Sequence, residues 1–244
     1  MKFLLTAVLL VSGLNAFAGK PNVEKIIGAN DLIAVDAKGN NVPGKYRPLS
    51  NAFGLISMGC TATHIGDGIV LTAGHCFWAN EDLVRDQDCS DTTVTWGVRE
   101  GNDSNHTVSK CEKVLFMQRD EIGSDFAIMK VSPVPEAAIG VELERKAAVD
   151  DQITIFSHPE EMPLRWSQNC VVENPTDTAL PPQALQHKCD TNPGSSGATI
   201  LDTKTLKVIA IHDGGRLTGR TDGMNYATFL TDKEIRTALK SLGF

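Results

Sequence analysis

The sequence has few basic residues and no cluster of them. It contains 23 lysines and arginines against 30 aspartates and glutamates, which gives a formal net charge of −7. Proteins that bind nucleic acid use clustered cations to displace counterions from the phosphate backbone. We therefore do not expect nucleic acid to be a partner of this chain.

Long apolar runs are also missing beyond the first 18 residues. A helix that spans the roughly 30 Å hydrocarbon core of a bilayer needs about 20 apolar residues. No internal segment of the sequence reaches this length, so we expect neither a membrane-spanning segment nor a membrane partner.

Two common metal-binding patterns are absent from the sequence. No closely spaced cysteine pair meets a matching pair of histidines or cysteines, as a structural zinc site requires. No acidic loop resembles the calcium loop of an EF-hand. We expect neither a metal nor another cofactor.

The N-terminus has the layout of a secretory signal peptide. Met1-Lys2 gives a positive start, Phe3–Leu14 is nearly all apolar, and Ala16 and Ala18 are small residues at the positions that a signal peptidase reads. The apolar stretch is too short for a membrane anchor. We predict residues 1–18 as a signal peptide, residues 19–25 as a short propeptide, and a protein secreted to the extracellular space or the periplasm.

All cysteines follow the predicted cleavage site. An even number of cysteines in an exported protein favours disulfides over metal ligation. Six cysteines can pair in many ways, so the residues alone leave the connectivity open. The cysteines are Cys60, Cys76, Cys89, Cys111, Cys170 and Cys189.

Short apolar stretches separated by Gly, Asn, Asp and Pro recur along the chain, whose 244 residues suit one or two domains. Strands at this spacing predict an all-β barrel or sandwich. We predict a linker at Val131–Pro135, and a C-terminal helix after the capping box Thr231–Glu234, with Ile235 and Leu239 at helical spacing. The clearest predicted strands are 55–58, 69–71, 93–96, 114–116, 126–131, 152–156, 198–201 and 207–211.

Three short motifs carry groups that act together in nucleophilic catalysis. They centre on His75, on Asp125 and on the two serines of Gly194–Gly197. A serine hydroxyl is a poor nucleophile at neutral pH and needs a base such as imidazole, which a carboxylate holds in the correct tautomer. A glycine two residues before the nucleophile allows the amides of Gly194 and Ser196 to point at one spot, as an oxyanion hole.

The order His, Asp, Ser is that of chymotrypsin-type enzymes, and the chain resembles a secreted trypsin-like serine endopeptidase of the chymotrypsin fold. The family pattern Gly-x-Ser-Gly implies that Ser196 is the nucleophile and Ser195 the variable position. The resemblance implies catalysis by His75, Asp125 and Ser196 through an acyl-enzyme. It further implies protein or peptide substrates, a protein inhibitor as a second kind of partner, and a monomer.

The resemblance also implies the fold, which is all-β: two six-stranded antiparallel Greek-key β-barrels packed together, with a C-terminal α-helix. Residues 26–135 are then the first barrel, which carries the base and the orienting carboxylate. Residues 136–244 are the second barrel, which carries the nucleophile and the helix. The disulfides implied are Cys60–Cys76 beside the base and Cys170–Cys189 beside the nucleophile loop, which leaves Cys89–Cys111 as the third pair.

The second half of the chain resembles the bacterial glutamyl endopeptidases more than the animal digestive enzymes. In that branch a histidine at the position of His212 and a threonine at the position of Thr191 line the pocket for P1, the substrate residue before the cleaved bond. The resemblance therefore implies cleavage after Glu or Asp, because a histidine and a hydroxyl suit a carboxylate. It is carried by Ile27–Asp31, His158-Pro159 with Trp166, and Ile211–Gly215.

Other residues near the predicted pocket give a competing signal. Asp190 lies six residues before Ser196, where trypsin-like enzymes carry the acid that binds Lys or Arg, so cleavage after Lys or Arg is the alternative.

Gly214 and Gly215 are predicted to leave a backbone edge on which substrate pairs as an added strand. Trypsin-like zymogens pair a freed amine with an aspartate before the nucleophile, but this chain has a serine there, so cleavage after Lys25 lacks that ion pair.

Two other classes of function stay open on the sequence. One is a non-catalytic protease homologue that binds a partner protein through the same cleft, although such homologues usually lack a member of the triad and this chain keeps all three. The other is an esterase or related acyl hydrolase, which the chain order and the expected disulfides disfavour.

Overall fold

The computed structural model describes residues 26–102, 104–120, 123–178, 180–215 and 223–244. The predicted signal peptide (1–18) and propeptide (19–25) lie outside the described residues. None of the described helices has the length and apolar composition needed to cross a membrane. The strands are β1 Ile33–Ala34, β2 Phe53–Ile56, β3 Thr61–Gly66, β4 Ile69–Thr72, β5 Val84–Gln87, β6 Thr93–Trp96, β7 Thr107–Arg119, β8 Asp125–Ser132, β9 Gln152–Ser157, β10 Arg165–Val171, β11 Leu185–His187, β12 Thr199–Asp202, β13 Val208–Gly215 and β14 Asn225–Phe229.

The first sheet closes into a barrel. Its antiparallel order is β5-β7-β6-β2-β3-β4-β8, and β7 also pairs with β8, so six strands form a ring with β5 on its outside. The long strand β7 can contact several neighbours because its register with β8 shifts twice, between Cys111 and Lys113 and between Val114 and Phe116. Such bulges bend a strand and increase its twist, which is what closing a small barrel requires.

The second sheet wraps less completely. Its antiparallel order is β1-β10-β9-β12-β13-β14-β11, and among the described residues its two ends meet only at the bridge between Val172, just after β10, and His187 in β11. The sheet is therefore a half-barrel beside the closed six-stranded barrel. The predicted all-β, chymotrypsin-like fold is confirmed, with a half-barrel in place of the second closed barrel.

The N-terminal segment belongs to the second sheet and not to the first. Strand β1 pairs with β10 through Ile33–Trp166 and Ala34–Arg165, although the chain then continues into the first barrel. The strands of the first sheet all lie between residues 53 and 132, and the other strands of the second sheet lie between residues 152 and 229. The segment before β2 therefore ties the two sheets together.

The apolar core follows the strand pattern and extends to the helix. Strands β4 and β8 pair in the middle of the molecule and are buried along nearly their whole length, as expected for strands covered on both faces. The helix α1, Lys233–Ser241, buries Ile235, Ala238 and Leu239 in the same core, at the i, i+3, i+4 spacing of one helix face. Its N-cap is Asp232 without a side-chain cap hydrogen bond, so the predicted capping box at Thr231–Glu234 is not formed.

Candidate active site

A short 3₁₀ turn, Gly74–Phe77, directly follows β4 and carries His75. Glycine is needed at its first position because a Cβ on Gly74 would lie 2.3 Å from the carbonyl oxygen of Gln118 and 2.8 Å from that of Phe126. The residue after His75, Cys76, forms a disulfide with Cys60, which directly precedes β3. The turn is therefore held against the barrel on both sides of the imidazole.

Asp125, the first residue of β8, holds His75 through both carboxylate oxygens. Oδ2 lies 2.7 Å from the ring Nδ1 of His75, and Oδ1 accepts the backbone N–H of His75 at 2.9 Å. The side chain of Asp125 is only 7% exposed. The carboxylate thus fixes the backbone and the ring together, and an ionised carboxylate requires the hydrogen on Nδ1, which leaves Nε2 as the basic nitrogen.

Ser196 lies on the other side of the imidazole. Its Oγ is 2.8 Å from Nε2 of His75, within ordinary hydrogen-bond distance. The neighbouring Ser195 is turned away, because its Oγ lies 3.0 Å from Oγ of Ser157 and accepts the backbone N–H of Asn192 at 3.3 Å. Of the two adjacent serines, the structure brings only Ser196 to His75.

The loop before Ser196 has a backbone that favours glycine. Gly194 has φ of +101°, and a Cβ there would lie 2.6 Å from the carbonyl oxygen of His158 and 2.9 Å from the amide nitrogen of Glu160. The carbonyl of Pro193 accepts the N–H of Glu160. Because C=O and N–H point in opposite directions across a trans peptide, the N–H of Gly194 is directed away from Glu160. This is the amide that the sequence proposes for an oxyanion hole together with that of Ser196.

The disulfides join the six cysteines as the resemblance implies. Cys60–Cys76 braces the turn of the histidine, and Cys170–Cys189 ties β10 to the segment that leads into the serine loop. The third disulfide, Cys89–Cys111, links the β5–β6 connection to β7. Two of the three therefore stabilise segments that carry site residues.

A second buried carboxyl lies behind Asp125. The backbone N–H of Asp125 donates to Oγ1 of Thr228 at 2.8 Å, and the same hydroxyl lies 2.8 Å from Oδ2 of Asp213. Asp213 is completely buried, and this burial, with the nearby charge of Asp125, raises its pKa well above the usual range. Sequence reasoning missed Asp213 and Thr228. The signal available for Asp213 was an acidic residue that directly follows an apolar run and a histidine in the predicted strand region.

Asp190 contacts the N-terminal segment through both of its carboxylate oxygens. Its Oδ1 accepts the backbone N–H of Ile27 at 2.8 Å, and its Oδ2 accepts that of Asp31 at 2.7 Å. The residue is 4% exposed. These two hydrogen bonds anchor the N-terminal segment to the residue that lies six positions before Ser196.

Thr191 and His212 are buried close to the nucleophile loop. The backbone carbonyl of His212 accepts the N–H of Gly197 at 2.8 Å, and the backbone N–H of His212 donates to the carbonyl of Ala198 at 2.7 Å. The hydroxyl of Thr191 has no hydrogen-bond partner among the described residues. Both side chains are completely buried, so the groups that cover them have to move before a substrate side chain can reach them.

A second histidine packs against His212. Nε2 of His187 lies 3.2 Å from Nδ1 of His212, and the ring centroids are 5.2 Å apart. Burial lowers the pKa of His187 to about 3, and it lowers the pKa of His212 well below the usual range, with the neighbouring His187 adding to the effect. Both imidazoles are therefore neutral at neutral pH, and His212 can act on a ligand as a hydrogen-bond donor but not as a cation.

Gly214 and Gly215 form the end of β13. They pair with Tyr226 and Asn225 of β14 on one edge. On the other edge the pairing with β12 stops at Ile211–Thr199, so β13 extends beyond its neighbour there. This is the edge on which the sequence predicts an added substrate strand.

One group of potential metal ligands occurs among the described residues. The donor atoms of Cys60, His75 and Cys76 lie within 4.8 Å of one another. The two sulfurs are joined as a disulfide, and a metal is bound by thiolates. The group therefore lacks the donors of a metal site.

Residues 60–211 match the family model of the trypsin-like peptidase domain, which is more than half of the chain. The chain belongs to this family. No curated protein is similar enough to be matched to it. As a trypsin-like peptidase it is a serine protease of the chymotrypsin type by family. The matched segment includes His75, Asp125 and Ser196.

Proposed function

We propose that this trypsin-like peptidase is a secreted serine endopeptidase in which His75, Asp125 and Ser196 form the catalytic triad. The observation that carries the proposal is that His75 lies between the other two, 2.7 Å from Asp125 and 2.8 Å from Ser196. A base in hydrogen-bond contact with both a nucleophile and an orienting carboxylate is the arrangement that activates a serine hydroxyl.

The chemistry follows from this geometry. Oγ of Ser196 attacks the carbonyl carbon of the scissile bond while Nε2 of His75 accepts its proton, and Asp125 stabilises the imidazolium that forms. The developing negative charge on the substrate oxygen is met by the amides of Gly194 and Ser196. As the C–N bond breaks, His75 returns the proton to the leaving amine. Water, activated by the same histidine, then hydrolyses the acyl-enzyme and regenerates Ser196.

The proposal is tested by cleavage of a peptide library, read by mass spectrometry. Wild-type protein should produce cuts that disappear with Ser196→Ala, where kcat falls by about 10⁶-fold. Ser195→Ala is the matched control, because it removes the adjacent hydroxyl that contacts Ser157 and not His75. Retained activity in Ser195→Ala and lost activity in Ser196→Ala is the expected result.

The other outcomes point to the alternative functions. If disulfide-bonded, processed protein makes no cut that depends on Ser196, the triad is inert and the chain is a homologue that binds a partner through its cleft. If esters are turned over and peptides are not, the chain is an acyl hydrolase of another kind.

For the P1 preference we propose Glu or Asp, in line with the glutamyl endopeptidase resemblance. Asp190 is already engaged by two backbone amides, which weakens the Lys/Arg alternative. Thr191 offers a buried hydroxyl without a partner among the described residues, and His212 a neutral imidazole that can donate. Thr191→Val, which keeps the shape and removes the hydroxyl, should reduce kcat/KM for acidic P1 substrates about 10- to 100-fold, the value of a hydrogen bond to a charged group. A P1 preference for Lys or Arg in the library contradicts this proposal.

We also propose export with removal of residues 1–18. Three disulfides are typical of oxidising compartments and support it. N-terminal sequencing of the protein recovered from culture medium or periplasm tests both processing predictions. A start at Gly19 supports signal cleavage alone, a start at Ile26 supports removal of residues 19–25 as well, and a start at Met1 contradicts both.

A further inference from the structure

Asp213 is an acidic side chain that the chemistry above does not use. It lies on β13, is completely buried, and has one hydrogen-bond contact, from Oδ2 to the hydroxyl of Thr228 at 2.8 Å. Its other oxygen, Oδ1, has no hydrogen-bond partner among the described residues. A buried carboxylate anion with a single hydrogen-bond contact is strongly unfavourable.

The hydroxyl of Thr228 makes three short contacts, which fixes where the hydrogens lie. It is 2.8 Å from the amide nitrogen of Asp125, 2.7 Å from the carbonyl oxygen of Gly123 and 2.8 Å from Oδ2 of Asp213. The amide of Asp125 brings its own hydrogen, and a carbonyl oxygen can only accept. The single hydroxyl hydrogen is therefore directed to Gly123.

The third contact then needs a hydrogen from Asp213. If Asp213 were ionised, one of the two contacts to Gly123 and Asp213 would join two oxygens with no hydrogen between them, at hydrogen-bond distance. With a proton on Oδ2, each of the three contacts contains one hydrogen, and both lone pairs of the hydroxyl are used. Only the neutral acid satisfies the whole cluster.

From this geometry we infer that Asp213 is a neutral carboxylic acid that donates to Thr228 and thereby positions Asp125 for its role toward His75. The inference rests on the proposed triad. The hydroxyl of Thr228 makes two hydrogen bonds at the start of β8: it accepts the N–H of Asp125 and donates to the carbonyl of Gly123, two residues earlier. Asp213 holds the Thr228 hydroxyl in the orientation that makes both hydrogen bonds, so it is a positioning residue that acts through Thr228.

The surrounding charges agree with a neutral Asp213. Burial raises its pKa most, and Asp125 on β8 and Asp232 at the start of α1 raise it further. Arg119, at the end of β7, lowers the pKa of Asp213. Its Nε lies 3.8 Å from Oδ2 of Asp125, with which it forms an ion pair. The charge of Asp125 therefore adds to burial in favouring the neutral form of Asp213.

Infrared spectroscopy tests the protonation without any turnover. In the Ser196→Ala background at about pH 7, we expect the C=O band of a neutral carboxylic acid, which disappears with Asp213→Asn and with Asp213→Ala. Asp232→Asn is the matched control, because burial raises the pKa of Asp232 only to about 6, so in most molecules Asp232 is ionised at about pH 7. A spectrum that both Asp213 variants leave unchanged overturns the inference.

The positioning role is tested by the hydrogen on Nδ1 of His75, observed by NMR in the same background. Asparagine at position 213 can still donate to Thr228, so Asp213→Asn should leave this resonance in place. Asp213→Ala removes the donor and should shift or broaden it. A resonance that Asp213→Ala does not change shows that Asp213 does not position Asp125.

Kinetics with Ser196 intact give the functional readout. Asp213→Ala should lower kcat about 10- to 100-fold with little change in KM, as expected for a misplaced catalytic group, and Asp213→Asn should restore it. If Asp213 instead acted as an anion, asparagine would be as harmful as alanine. A protein without peptidase activity leaves the infrared and NMR results unaffected, so failure of the proposed function is distinguished from failure of this inference.

Discussion

The carboxylate of Asp190 accepts the backbone N–H of Ile27 at 2.8 Å, across 163 residues of sequence. Its second oxygen accepts the N–H of Asp31 at 2.7 Å. An aspartate six residues before the nucleophile is therefore used to fasten the N-terminal segment to the base of the serine loop. The segment continues into β1, which pairs with β10, so the same stretch is attached to the second sheet at two points.

Replacing Asp190 by alanine should loosen this segment without changing substrate choice. Two backbone donors lose their acceptor, which should lower the free energy of unfolding by about 1–3 kcal/mol. Hydrogen exchange should accelerate at the amides of Ile27 and Asp31, and the P1 profile of the remaining activity should stay the same. Asp91→Ala, at an exposed turn position, is the control for loss of a carboxylate. A change of P1 preference in Asp190→Ala would show that this acid contacts substrate.

Removing the charge of Asp125 should abolish most of the activity while the fold is kept. Asparagine has one acceptor oxygen, so it cannot accept from both the backbone N–H and the ring Nδ1–H of His75 as the carboxylate does. The carboxylate then no longer fixes the hydrogen on Nδ1 of the imidazole or stabilises the imidazolium, and kcat for Asp125→Asn should fall about 10⁴-fold. Steady-state kinetics, with circular dichroism as a folding check, measure this. A loss of less than tenfold would mean that Asp125 does not orient His75.

Much of the fold could be predicted from local pattern. The strands predicted at 69–71, 93–96 and 152–156 lie within β4, β6 and β9 of the structure, because alternating or continuous apolar residues between turns suit a pleated, buried surface. The prediction failed where local sequence does not carry the information. Strand β7 runs over Thr107–Arg119, far longer than the predicted 114–116, because its length is set by pairing with several neighbours and by two bulges.

The site divides in the same way. His75, Asp125 and Ser196 each sit in a short motif, and the structure brings them together as the motif order implies. Asp190 could not be assigned from its spacing, because its partners are backbone amides more than 150 residues away. Thr228 lies in no motif, and the motif that contains Asp213, Ile211–Gly215, does not link it to Asp125. Their proximity to Asp125 depends on the pairing of β13 with β14, which only the folded sheet defines.

The glycine after the nucleophile should tolerate no side chain. Gly197 has φ of +81°, and a Cβ there would lie 2.1 Å from Oγ1 of Thr72 and 2.5 Å from the carbonyl oxygen of Thr61. Backbone strain and steric overlap together should make Gly197→Ala less stable by about 3 kcal/mol or more. Urea unfolding in the Ser196→Ala background avoids self-cleavage during the measurement.

Gly140→Ala is the matched control for that substitution. No heavy atom lies within 4 Å of a Cβ at Gly140, so alanine there should change the free energy of unfolding little. If Gly197→Ala were as stable as Gly140→Ala, the close approach of the serine loop to β3 and β4 would be wrong.

The buried histidines should make the protein less stable as the solution is acidified. Burial lowers the pKa of His187 from its usual 6.5 to about 3 and that of His158 to about 4. Between these values and 6.5 the unfolded chain binds protons that the folded protein does not. The free energy of unfolding therefore falls as pH falls through this range, with a slope of up to about 1.4 kcal/mol per pH unit for each histidine.

A single substitution isolates one contribution to this loss. His187→Gln removes one proton-binding group of the unfolded state, so the decrease in the free energy of unfolding between about pH 7 and pH 5 should shrink by about 1–2 kcal/mol. His106→Gln replaces an exposed histidine and is the control. Urea titrations at both pH values in the Ser196→Ala background measure the two differences. Equal pH dependence in the two variants would mean that His187 takes up its proton as readily in the folded protein as in the unfolded chain, which contradicts the lowered pKa.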